Sequence, residues 1–261
     1  MNMAAALNLG GCLLLFSLTG CAQNQNSTQA FSPPPGGEQV TVTVKVPQDL
    51  AADTLRVMYR SQKCQVKRSG ADWTSYEEDG RHAIEVVPQR QGNSDLYVAK
   101  LDRSGGGACQ WNLSNVTFGV HYENTAQFGE GVTYGYGGGV IVIFDNNLPQ
   151  RRSMDEVVDV SGDVVVREDY YPWVIETFIG GHEKTLVIMG RQNVFSYRSS
   201  NARSVVFEPI LHSGLVVRTI GVKSDGAGTS ENIYPDGTRE FSGYDPSLRR
   251  LKIISESMNS R

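Results

Sequence analysis

Basic stripes, nucleophile motifs and clustered histidines are all missing from this chain, and each absence narrows its function. The 24 Lys and Arg residues are outnumbered by 28 Asp and Glu, for a net charge of −4. Nothing stands ready to displace counterions from phosphates, so no nucleic-acid partner is expected. The pairs Arg151-Arg152 and Arg249-Arg250 are too short to form basic patches and read as solvated strand or turn ends. No Gly-x-Ser-x-Gly elbow occurs, and no Ser-x-x-Lys falls in a helical pattern, which removes two well-marked acyl-transfer nucleophiles. His82, His121, His182 and His212 are scattered, with no short metal-ligand spacing. His182-Glu183 starts like a zinc-protease helix, but Leu186 stands where the second His is required. Asp225, Asp236 and Asp245 lack the alternating oxygen ligands of a calcium loop and read as turn formers. The expectation is therefore a protein that is not an enzyme, with no catalytic residue, no metal and no cofactor.

Charge is also missing from the start. Residues 1–20 carry no charged side chain. The apolar core, Cys12 to Leu18, is too short to span a bilayer and suits the apolar region of a secretory signal. Leu18-Thr19-Gly20-Cys21 follows it. This string resembles the bacterial lipobox, in which the leader is cut before the cysteine and the thiol is diacylated. The resemblance implies a signal peptide over 1–20 and lipidation at Cys21. Ala22, rather than Asp, implies sorting to the outer membrane with the body on the periplasmic side. The basic head usual in such signals is absent; either translation starts elsewhere, or export is inefficient and leaves a cytoplasmic pool of unprocessed protein. From Cys21 to 39, the Asn/Gln/Ser-rich run and Pro33-Pro34-Pro35-Gly36-Gly37 read as a tether.

The whole chain is 39% hydrophobic and 20% charged, which is ordinary for a globular protein. Val40-Thr41-Val42-Thr43-Val44-Lys45-Val46 alternates with period two and is the clearest strand. Further strands are expected at 54–59, 82–87, 96–101, 116–122 and 140–144. Gly, Asp, Asn and Ser punctuate them, which favours an all-β, mostly antiparallel fold over βαβ units. Residues 40–147 are read as a β-sandwich-like module. Cys64 and Cys109 fall within it, and an oxidising compartment makes them a disulfide pair.

Gly129–Gly139, GEGVTYGYGGG, fails the dinucleotide fingerprint and precedes a strand rather than a helix. It reads as a mobile Gly/Tyr loop or hairpin, with Tyr134 and Tyr136 as exposed partner-binding candidates. A boundary is expected near 145–152, followed by a second β-rich module over 153–257. Its strands are placed at 157–160, 163–167, 173–178, 185–189, 194–198, 204–207, 215–222 and 251–255. Tyr234-Pro235-Asp236-Gly237-Thr238 is a strong tight-turn signal. No long amphipathic helix is expected.

The plan as a whole, with Val57–Cys64 (VMYRSQKC), Gly105–Trp111 (GGGACQW) and Tyr234–Ile253 (YPDGTREFSGYDPSLRRLKI), resembles the immunity lipoproteins that accompany type VI secretion lipase effectors. The resemblance implies a lipid-anchored binding protein whose partner is a secreted effector, a phospholipase, neutralised in the periplasm. It carries no inhibitory residue across. A structural or assembly lipoprotein of the envelope is the alternative, and an anchored enzyme with a scattered triad is the third class.

Overall fold

The computed structural model describes residues 30–71, 73–147, 157–223, 228–241 and 245–259. The leader, the lipidation candidate Cys21, the Arg151-Arg152 pair and the Asp225 turn lie outside the described residues.

The first half supplies β1 (Gln39–Lys45), β2 (Ala51–Ala52), β3 (Leu55–Ser69), β4 (Ser75–Val86), β5 (Gln89–Arg90), β6 (Leu96–Asp102), β7 (Ser104–Gly106), β8 (Trp111–His121), β9 (Val132–Gly137) and β10 (Gly139–Ile143). The second half supplies β11 (Val158–Asp159), β12 (Val164–Thr177), β13 (Glu183–Met189), β14 (Val194–Arg198), β15 (Ser204–Leu211), β16 (Val217–Ile220), β17 (Glu231–Ile233), β18 (Arg239–Phe241) and the helix α1 (Leu248–Asn259). The fold is predominantly β, as expected from the alternation.

The sheets are mixed rather than purely antiparallel. One runs β18-β17-β16-β12-β15-β1-β6-β5, with β13 on β12 and β9 on β13. The other runs β11-β14-β10-β8-β3-β4, with β2 and β7 on β8. Parallel pairs are β1 with β15, β12 with β15 and β16, β10 and β11 with β14, and β13 with β9. Several of these cross the expected boundary near 145–152, so 40–147 and 153–257 share both sheets.

Alternation in β1 does what its pattern demands: Val40, Val42 and Val44 are fully buried, while Thr41 and Thr43 point the other way. They join a core with Leu55, Val57, Val116, Phe118, Val205 and Phe207, drawn from both sheets. A smaller core, with Tyr171, Trp173, Val187, Val217, Leu251 and Ile254, occupies the opposite face of β12, where α1 covers it.

Two local expectations are corrected. Strands placed separately at 163–167 and 173–178 are one strand, β12. Pairing with β15 ends at Tyr170 and pairing with β16 begins at Trp173. On that edge Pro172 thus falls in the gap between the two pairings, while on the other edge it lies in register with Ile188 of β13. The strand expected at 251–255 is part of α1. Ser247 Oγ accepts the Arg250 N–H at 3.4 Å, an N-cap bond. Leu248, Leu251 and Ile254 recur at helical spacing and pack into the smaller core. Among the described residues, no helix is long and apolar enough to cross a membrane.

The turn expected at 234–238 is present. Tyr234 N–H donates to the Thr238 carbonyl at 2.9 Å, and Ile233 faces Arg239 across the β17–β18 hairpin. The Tyr234 hydroxyl binds Glu240 at 2.5 Å and accepts the Ser247 N–H at 2.9 Å, joining the hairpin to the start of α1.

Candidate functional site

Cys64 and Cys109 form the expected disulfide, with Cα atoms 5.4 Å apart. Its surroundings show why the chain bends there. Between the pairs Ser61–Gly80 and Val66–Glu78, β3 carries Gln62, Lys63, Cys64 and Gln65, while β4 carries Asp79 alone. The surplus bulges out and aims Cys64 at Cys109. Ser61 Oγ accepts the N–H groups of Lys63 (3.1 Å) and Cys64 (3.0 Å) and donates to the Cys109 carbonyl (2.5 Å). Gly80 is required because a Cβ there would collide with the Cys64 carbonyl oxygen.

Beyond this pinned bulge the β3–β4 hairpin continues into solvent. One face presents Val66, Arg68, Tyr76 and Glu78, since Val66 pairs with Glu78 and Arg68 with Tyr76. Arg68 lies 3.6 Å from Glu78. At the tip Gly70 N–H donates to the Thr74 carbonyl (2.8 Å) and Trp73 N–H to the Gly70 carbonyl (3.1 Å). Trp73 is 91% exposed and sits at φ +64°, a region that costs a non-glycine residue about 1–2 kcal/mol. Sequence reading missed this residue. The available signal was an indole directly after Gly70-Ala71-Asp72, turn-forming chemistry in a polar stretch. Trp73→Gly, which removes the strain and no packing, should leave the melting temperature unchanged or slightly raised. A clear fall in thermal melts would assign Trp73 a structural role.

The first described residues lie at the base of this hairpin. Ala30 abuts Gly107, two positions before Cys109. Ser32 N–H donates to the Gly105 carbonyl at 2.8 Å. The Phe31 ring lies 4.7 Å from Tyr59 and stacks on His82 at 5.5 Å. Part of the stretch read as tether, 30–38, is therefore docked: it contains one aromatic side chain, and that side chain finds an apolar slot.

The Gly/Tyr stretch is a strand, not a loop. β9 pairs in parallel with β13, Thr133 facing Thr185 and Tyr134 facing Leu186. Its glycines serve close approach: Gly137 has φ +117°, and a Cβ there would collide with the Ile188 carbonyl oxygen. The two tyrosine candidates separate. Tyr134 turns inward and packs against the core, its hydroxyl donating to the Gly137 carbonyl at 3.1 Å. Tyr136 is 49% exposed.

Burial pushes the phenol of Tyr134 well above its ordinary range, and the same cause, largest in each case, raises Tyr59, Tyr122 and Tyr170. A phenol whose folded pKa is raised stabilises the fold fully below its ordinary value near 10; that contribution is lost as pH rises through the raised value. Phenolate absorbance should therefore show these four tyrosines ionising only with alkaline unfolding. Their titration in the intact fold at the ordinary value would contradict this packing.

Three histidines each meet a carboxylate: His121 Nδ1 lies 2.6 Å from Asp53, His182 Nε2 2.6 Å from Glu176, and His212 Nε2 2.8 Å from Asp169. Asp169 and Glu176 both belong to β12, whereas His121 stands on β8. Among the described residues, no group of three His, Cys, Asp or Glu is placed to hold a metal ion. Comparison with family models, with curated proteins and with solved structures finds no match to this chain.

Proposed function

We propose that the protein is a lipid-anchored binding protein, held through Cys21 on the periplasmic side of the outer membrane, that neutralises a secreted antibacterial effector of the phospholipase class. The observation that carries the reading is β9. Tyr136 offers aromatic contact area from a strand already fixed by β13 and by the inward Tyr134. A contact residue held in place before binding costs little ordering free energy on association. The anchor supports the same reading, because tethering concentrates an inhibitor where a lipase reaches its substrate.

One observation favours the alternative of an envelope assembly lipoprotein. Among the described residues β9 pairs on one side alone, and an open strand edge accepts an added strand. Tyr136→Ala separates the two. It should weaken binding of a hydrolase co-purified from the producing strain by about tenfold, as for an interface anchor, with no change in melting temperature. Strand addition uses backbone groups and would tolerate the substitution. Cys21→Ala should abolish incorporation of labelled palmitate; persistent labelling sinks the anchor.

A further inference from the structure

We infer that the tip of the β3–β4 hairpin is a second membrane contact, in which Trp73 enters the headgroup region of the bilayer that holds the Cys21 lipid and so sets the orientation of the body. The inference rests on the lipid-anchor reading and extends it to an assigned surface. Three observations lead there.

The first is the side chain. Trp73 is 91% exposed at the end of a projecting hairpin. Indole prefers the membrane–water interface, where an apolar ring and a polar N–H are both accommodated. Tyr76 and Val66, 46% and 41% exposed, share one face just behind it.

The second is position. Ala30, the first described residue, abuts Gly107 beside the disulfide that pins the hairpin base. From Cys21 to Ala30 the chain spans about 30 Å at full extension. The hairpin projects about 20 Å beyond Cys64 at the usual rise per strand residue. The anchored end and the tip can therefore reach one plane.

The third is charge. Lys67 faces Glu77 and Arg68 lies beside Glu78, and the sequence adds Asp72 next to Trp73, so the arm has no surplus of cations to draw it to anionic lipid. Contact through an aromatic tip, rather than through counterion attraction, fits this pattern. It should not depend on salt or on anionic lipid.

The test couples the chain from Cys21 onward, through its one thiol outside the disulfide, to a maleimide lipid in phosphatidylethanolamine–phosphatidylglycerol vesicles. This supplies the anchor whether or not cells acylate Cys21, so the two readings fail separately. Trp111 and Trp173 are buried, which leaves Trp73 as the indole that lipid can touch. With brominated acyl chains, emission should fall by the share that Trp73→Ala removes, equally at low and high salt and with or without phosphatidylglycerol. Trp73→Ala should show no quenching. Equal emission from brominated and plain vesicles, or quenching that persists in Trp73→Ala, overturns the inference; the first result leaves the tip to a protein partner. Quenching that requires low salt or anionic lipid overturns the aromatic mode of contact.

Discussion

Reducing the Cys64–Cys109 bridge should cost the fold about 4 kcal/mol, by the loop-entropy relation for the 45 positions it spans. For a body of this size that corresponds to a melting temperature lower by about 10 °C. The bridge restricts the unfolded chain, and it also closes the one place where β3 and β4 fall out of register. Without it, Ser61 still gathers the Lys63 and Cys64 N–H groups, but nothing covalent holds the bulge against the turn between β7 and β8. The loss should therefore appear first as faster amide exchange beyond Val66 and only then as global unfolding. Thermal melts with and without reductant, beside the double Ala variant, measure it. Coincident melts would show that the bridge contributes nothing. The same number bears on export: any pool retained in a reducing cytoplasm would lack this stabilisation.

Gly137→Ala should be nearly as damaging at a single methyl group. The new Cβ meets the Ile188 carbonyl oxygen, and the residue is held at φ +117°. Overpacking against backbone and a strained φ together cost about 3 kcal/mol. The strand resists shifting, because the Tyr134 ring packs against the core and its hydroxyl also reaches the Val120 carbonyl of β8 at 3.4 Å. The expected result is a detached β9 with the remaining sheets intact: lower stability, exposed β13, and loss of binding that depends on Tyr136. Gly131, also at positive φ but with open space around it, is the control, and Gly131→Ala should cost no more than its backbone strain. Equal melts for Gly137→Ala and the parent protein would contradict the close approach of β9 to β13.

These two variants show where the sequence was readable and where it was not. The β1 alternation and the Tyr234–Thr238 turn are local chemistry, and both are found as expected. So is the disulfide, which follows from counting cysteines in a chain expected to be exported. Parallel pairing was not legible, because Thr41 and Ser204 are neighbours only in space. The glycines of β9 signal flexibility on paper; in the fold they signal contact with Ile188 and Thr185. That substitution of meaning turned a loop into a strand and sent Tyr134 inward. In α1, Leu-Lys-Ile-Ile-Ser taken alone favours a strand; the helical spacing shows only when Leu248 and the Ser247 cap are included. Trp73 was passed over because alternation weights apolar residues as core, and an exposed indole at a turn has no period.

The central claim is that this protein shields its own cell from a secreted effector. Contact competition between the producing strain and its gene deletion tests it most directly. The account predicts that the deletion strain loses viability beside its parent and recovers when the gene is returned, with Tyr136→Ala restoring less protection than the native sequence. A deletion strain that stays fully resistant to its siblings would contradict it.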